Sequence, residues 1–179
     1  ILLLDEPLSA LDAHLKVRMQ TVLSNLQKEL GITFVYVTHS QSEAFSMADR
    51  VVIMSRGRIE QIGSPQQIYR EPRTRFVAEF LGSSNIFAGQ VVAAKNGLIA
   101  IETPAGEFTV SPSHARPLKT GDSATFVVAG DRMQLTREPG VNGLNRMRTS
   151  VVGEEFVGAS AVIHLEGPAG ADIKVQKSH

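Results

Sequence analysis

Ile1-Leu2-Leu3-Leu4-Asp5-Glu6-Pro7 decides how this chain is read. A short unbroken apolar run suits a strand buried on both faces of a parallel sheet, and Pro7 stops it. Asp12 is placed to cap a helix reaching Leu30, with Leu15, Met19, Val22, Leu23, Leu26 and Leu30 spaced along one apolar face and Gly31 as its C-cap. Ile32–Thr38 is β-branched and aromatic, so it reads as a second strand. Strand, long helix, strand is a crossover unit, which predicts a parallel α/β sheet. In such sheets ligands bind beyond the carboxyl ends of the strands. Asp5 and Glu6 stand at that end of the first strand and His39 at that end of the second, so topology alone predicts that they converge.

Working outward, Ser40 with Glu43 is a capping-box pattern opening a short helix to about Ala48. Val51–Met54 reads as another buried strand, and Arg56-Gly57 turns it into a partner strand, Arg58–Ile62. Ser64-Pro65 opens a helix that Pro72 closes, and Thr74–Leu81 is a last short helix. Gly82-Ser83-Ser84-Asn85 marks a boundary, giving an α/β part over 1–82 and a second part over 83–179. The second part predicts short strands at Phe87–Ala93, Leu98–Glu102, Glu107–Val110, Ala124–Val128, Met147–Val152 and Ala161–Leu165. Asn96-Gly97, Pro104-Ala105-Gly106 and Pro168-Ala169-Gly170 are turns, and 139–144 reads as a linker. Together these predict a small all-β barrel or sandwich.

Composition narrows the function classes. The 179 residues are 42% apolar, enough for a sizeable core, with 18 basic and 18 acidic side chains. Divided after Leu81, each part carries nine of each sign. Neither has the charge excess of a nucleic-acid or membrane-surface binder. The absence of cysteine excludes disulfides, thiolate metal sites and a cysteine nucleophile. No apolar run approaches the roughly 20 residues that span a bilayer. The chain opens on Ile1 rather than Met, and Ile173–Gln176 reads as a strand cut off by Lys177-Ser178-His179, which suggests a piece truncated at both ends.

The chemistry lies in Asp5, Glu6 and His39. Taken alone, an acidic pair after a strand also suits a solvated strand end, and a lone histidine is commonly structural. The functional reading is metal-assisted hydrolysis. Asp5 would hold Mg²⁺ through water, because this hard cation prefers oxygen and keeps part of its hydration shell. Glu6 would orient and deprotonate the attacking water, and His39 would stabilise developing phosphate charge.

Ile1–Pro7 resembles the Walker B motif and catalytic glutamate of ABC transporter ATPases, and Ser9-Ala10-Leu11-Asp12 resembles their D-loop. Thr38-His39 with Ser40-Gln41-Ser42-Glu43-Ala44 resembles the switch histidine and the helix after it. Ala48–Val51, Gly57-Arg58-Ile59, Gln61–Pro65, Ile68-Tyr69, Arg75–Gly82 and Asn85 follow in the family's order. This run is similar to the importer branch handling polyamines (spermidine and putrescine), sugars or ferric iron, where a β-barrel module called TOBE follows the ATPase domain. Residues 83–179 suit an OB-like module of that kind, most recognisably at Val151–Ala159, while Ala129–Leu135 lacks the family's usual Arg-Pro-Glu.

The resemblance implies catalytic Glu6 and His39, Mg²⁺ at Asp5, and a dimer in which Ser9, Ala10, Leu11 and Asp12 act at the contact near the 41–47 helix. It implies ATP as the nucleotide, permease subunits as partners, no nucleic acid, and a location on the cytoplasmic face of the inner membrane. The substrate-binding residues stay unknown. The family's phosphate loop and Leu-Ser-Gly-Gly-Gln signature are absent from the 179 residues, so this stretch alone is expected to hydrolyse nothing and to hold no cofactor tightly. Without upstream strands the 12–30 helix and the sheet edge would stay uncovered, which predicts a homodimer or strand exchange.

The second reading is a regulatory, ligand-binding or dimerisation module in 86–179. Its basic candidates are Arg116, Lys119, Arg146 and Arg148, which read more readily as a solvated face, and His114 and His164 read as structural rather than as metal ligands.

Overall fold

A computed structural model describes residues 1–82, 84–112, 117–137 and 145–178. The chain is mixed α/β with mostly strands and divides into two compact units, 1–73 and 74–179. The helix Arg75–Leu81 therefore falls in the second unit, ahead of the boundary expected at Gly82–Asn85. The residues expected as a linker (139–144), as well as Ser83, His114 and Arg116, lie outside the described residues.

In the first unit β1 (Leu2–Asp5) and β2 (Phe34–Val37) pair in parallel, joined by α1 (Ala13–Leu30). The Asp12 carboxylate accepts from the Leu15 N–H at 2.9 Å, and Gly31 ends the helix in the left-handed conformation, so both caps form where the sequence put them. The sheet is not buried on both faces as expected. Its residues alternate half-buried and exposed, and Leu3 is 67% exposed. With two strands in this sheet, Leu3, Val35 and Val37 form an uncovered side. No α1 residue is buried either, and its face is open at Val22, Leu26 and Leu30.

α2 (Gln41–Met47) follows, then the antiparallel hairpin of β3 (Val51–Ser55) and β4 (Arg58–Gly63). Arg56 and Gly57 both have positive φ, the geometry that matches a two-residue loop to the strand twist. This hairpin is a sheet of its own and does not extend β1–β2. β3 is also not buried throughout: Val51 and Ile53 face inward, and Val52 and Met54 face solvent. α3 (Pro65–Arg70) starts with a reciprocal cap between Ser64 and Gln67. The buried Gln61 amide ties β4 to the stretch after α3, donating to Glu71 O at 3.0 Å and accepting from Arg73 N at 2.8 Å.

The second unit opens with α4 (Arg75–Leu81) and holds two antiparallel sheets. One orders β7 (Gly106–Val110), β6 (Leu98–Thr103), β5 (Ser84–Lys95) and β8 (Ser123–Ala129). The other orders β11 (Asp172–Ser178), β10 (Ser160–Glu166) and β9 (Ser150–Val157). β5 runs longer than expected, β9 starts three residues later than the expected Met147 and ends five later than Val152, and β11 continues through Lys177 and Ser178 rather than stopping before them. Phe87, Phe108, Leu165, Ile173 and Val175, drawn from both sheets, share one core. Phe87, Phe108 and Phe126 meet there with ring centroids 5.1 to 5.4 Å apart.

Buried Asn85 joins the sheets: its Oδ1 accepts from Lys174 N at 2.7 Å and its Nδ2 donates to Lys174 O at 2.8 Å. Asn145 makes the same two-point contact with the Thr109 peptide groups, at 2.7 and 2.8 Å. β9 presents Val151, Val152, Phe156 and Val157 to solvent.

Candidate active site

The two carboxyl strand ends meet as topology predicted. Asp5 pairs with Val37 across the parallel register, and the Glu6 N–H extends the ladder by donating to Val37 O at 2.9 Å. Glu6 then adopts φ 43, a left-handed conformation that a non-glycine residue takes at a cost. The turn is held from behind by Ser9, whose N–H and Oγ both donate to Glu6 O, at 3.2 and 3.0 Å. Leu11 N–H donates to Leu8 O, and Asp12 caps α1. Each of these residues thus has a local task in turning the chain from β1 into α1, and Ala10 is exposed in the same turn.

That turn brings Glu6 Oε1 to 3.3 Å from His39 Nδ1. Both side chains are open to solvent, as a group that meets a ligand must be. Asp5 is exposed at the end of β1. It presents a hard oxygen donor at a strand end with room around it. This donor set fits Mg²⁺, which is commonly held by one or two carboxylates with water and phosphate completing its shell. Among the described residues no cluster of three or more His, Cys, Asp or Glu side chains forms a metal cage.

Immediately behind His39 lies a group that the sequence did not reveal. Glu43 was expected to reach back to the N–H of Ser40 as the second half of a capping box. Ser40 does accept from Glu43 N at 3.4 Å, but the Glu43 side chain turns inward and is 4% exposed. The Ser40 N–H donates instead to Thr38 Oγ1 at 3.0 Å. The reason is that better donors wait inside. The Glu43 carboxylate accepts from Thr38 Oγ1 at 2.7 Å, from Tyr36 OH at 3.2 Å and from Lys16 Nζ at 3.2 Å. Burial pushes the carboxyl's pKa up, but those three donors and the Lys16 charge outweigh it and hold it below the usual range. Conversely, burial, then the Glu43 charge and hydrogen bond, push the Tyr36 phenol up to about 12. One sequence signal was available: Tyr36 and Thr38, two residues apart, put hydroxyls on the same side of β2.

The other candidates belong to the second unit. Lys119, Arg146 and Arg148 are exposed, as expected of a solvated face. His164 Nε2 sits 3.6 Å from Glu155 Oε2 on the neighbouring strand.

No family model matches the chain. Curated relatives do. The spermidine/putrescine import ATP-binding protein PotA of Oleidesulfovibrio alaskensis is 46% identical over 176 residues, covering 98% of this chain and 44% of its own length. The protein of the same name from Thermobifida fusca is 41% identical over 175 residues, covering 97% and 45%. That from Trichodesmium erythraeum is 55% identical over 106 residues, covering 59% and 28%. The chain spans less than half the length of each of these relatives. Identity at this level along nearly all of the 179 residues marks common descent, and the chain belongs to the ATP-binding proteins of ABC importers.

Proposed function

We propose that this chain carries the water-activating side of an ATPase site that powers uptake of a solute, with a polyamine as the substrate class its relatives' names suggest. Residues 1–82 would complete an ABC ATPase domain, and 83–179 would form an OB-like TOBE barrel beside it. Two copies would close around ATP, with Ser9, Ala10, Leu11 and Asp12 at the contact. Permease subunits would hold the pair at the cytoplasmic face of the membrane. No helix among the described residues is long and apolar enough to cross a membrane.

The observation that carries the reading is the Glu6–His39 pair at 3.3 Å, beyond the carboxyl ends of two parallel strands. Glu6 orients the attacking water and accepts its proton. His39 faces Glu6 through Nδ1, and Nε2, the other ring nitrogen, would meet a phosphate oxygen. When bound at Asp5, Mg²⁺ would supply charge neutralisation for the phosphates.

Phosphate release from MgATP tests this reading. The 179-residue chain alone is expected to release none, since it lacks a phosphate loop. Extended to include one, it is expected to turn over, and Glu6→Gln is expected to abolish that turnover. Hydrolysis by the extended protein that survives Glu6→Gln overturns the reading.

A further inference from the structure

We propose that Glu43 is a positioning residue for His39, acting through the Thr38 hydroxyl. The proposal rests on the ATPase reading above for its functional meaning. His39 is the residue between Thr38 and Ser40, and both neighbours are tied to the same buried carboxylate. Thr38 Oγ1 gives its one proton to Glu43 Oε2 at 2.7 Å. That donation leaves its oxygen lone pairs to accept the Ser40 N–H at 3.0 Å. The backbone on either side of His39 is thereby clamped by a two-step relay running carboxylate, hydroxyl, amide.

The clamp is anchored on three elements. Lys16 of α1 and Tyr36 of β2 complete the carboxylate's partners, and Glu43 itself stands on α2. The ring carried between them is 74% exposed and stands 3.3 Å from Glu6, so its backbone anchorage carries much of the task of fixing its place. A buried carboxylate with three donors is expensive to assemble, and a short exposed loop does not need one merely to fold. Its geometry makes sense if the position of His39 has to be reproducible.

An amide at position 43 cannot replace this arrangement. Glutamine offers one accepting oxygen to three donors and turns its own N–H groups toward the others. Because Glu43→Gln could fail to fold, Thr38→Val is the principal variant. It keeps the side-chain shape, removes the relay hydroxyl, and leaves Glu43 with Lys16 and Tyr36. Thr38→Ser restores the hydroxyl.

Two measurements test the proposal. In the 179-residue chain, Thr38→Val is expected to speed amide exchange at Ser40 and to shift the His39 ring resonances, with Thr38→Ser returning both toward wild type. In the extended protein that hydrolyses MgATP, Thr38→Val is expected to lower kcat on the order of 10- to 100-fold, with KM for ATP unchanged. It should add nothing further to His39→Ala, because both act on one group. Unaltered His39 resonances, an unaltered kcat, or losses that multiply with His39→Ala overturn the proposal. Absence of hydrolysis in the wild-type extended protein instead removes the ATPase reading, and the resonance measurement still decides whether Glu43 positions His39.

Discussion

Gly89 on β5 faces the carbonyl of Glu102 on β6 so closely that a Cβ at position 89 would stand 2.0 Å from that oxygen. Backbone, not a movable side chain, occupies the space. Gly89→Ala must therefore push the two strands apart, at a cost of about 1–3 kcal/mol, the usual range for overpacking. Urea denaturation of the second unit's signal measures it, and a loss below about 0.5 kcal/mol would show that the strands yield freely.

Asn85 should be similarly intolerant, for a polar reason. Asn85→Ala leaves the Lys174 N–H and C=O without their partner in a buried place, at about 1–3 kcal/mol. Asn85→Asp keeps the acceptor for Lys174 N but loses the donor that serves Lys174 O and Val128 O. Both variants should lower the thermal midpoint, and an unchanged midpoint in Asn85→Asp would mean the donor half of the clasp is idle.

The Glu43 cluster sets a pH dependence whose sign is fixed. The carboxyl is held below its ordinary value of 4.5, so its stabilising contribution is present above that value and lost as pH falls through the depressed one. Tyr36 is raised from 10.0 to about 12, so its contribution is complete below pH 10 and lost as pH climbs through that interval. Thermal midpoints measured across both windows should fall at each end. Tyr36→Phe should flatten the alkaline fall, and a wild-type curve that matches the variant's there would contradict the assignment.

His39→Ala should leave folding almost untouched. The Glu6–His39 contact is exposed on both sides, and exposed pairs contribute about 0–1 kcal/mol. Denaturation midpoints for wild type and variant are expected to coincide within error while hydrolysis by the extended protein falls to a small but measurable rate. A large drop in stability would recast His39 as a structural residue.

The uncovered surfaces predict self-association. Leu3, Val35 and Val37 on one side of β1–β2, with Val22 and Leu30 on α1, leave apolar area in water. Light scattering of the 179-residue chain should show mass rising with concentration, and Val22→Lys with Leu30→Lys should reduce that rise. A monomer at every concentration would refute it.

What the sequence made legible was local. Asp12, Gly31 and Ser64 form their caps because a cap depends on neighbours within four residues. Strand ends converge at Glu6 and His39 because a parallel crossover leaves no alternative. What stayed hidden was decided by competition or distance. The Glu43 pattern fits a capping box, and of the inward donors that outbid Ser40 the spacing of Tyr36 and Thr38 was a local signal, whereas Lys16 lies 27 positions away. Asn85 reads as a boundary residue, and its partner lies 89 positions along the chain. Burial of β1 and β3 was overestimated because a continuous apolar run reports hydrophobicity, not how many layers surround it.

That separation of 89 residues also sets an order of events. As the chain leaves the ribosome, Asn85 emerges long before Lys174, and its amide has only water to bind. The hairpins β5-β6 and β6-β7 close short loops and can form early, and β8 then returns to β5, whereas the clasp must wait for β11. Until β11 is made, Phe87 and Phe108 lack the cover that Ile173 and Val175 give them.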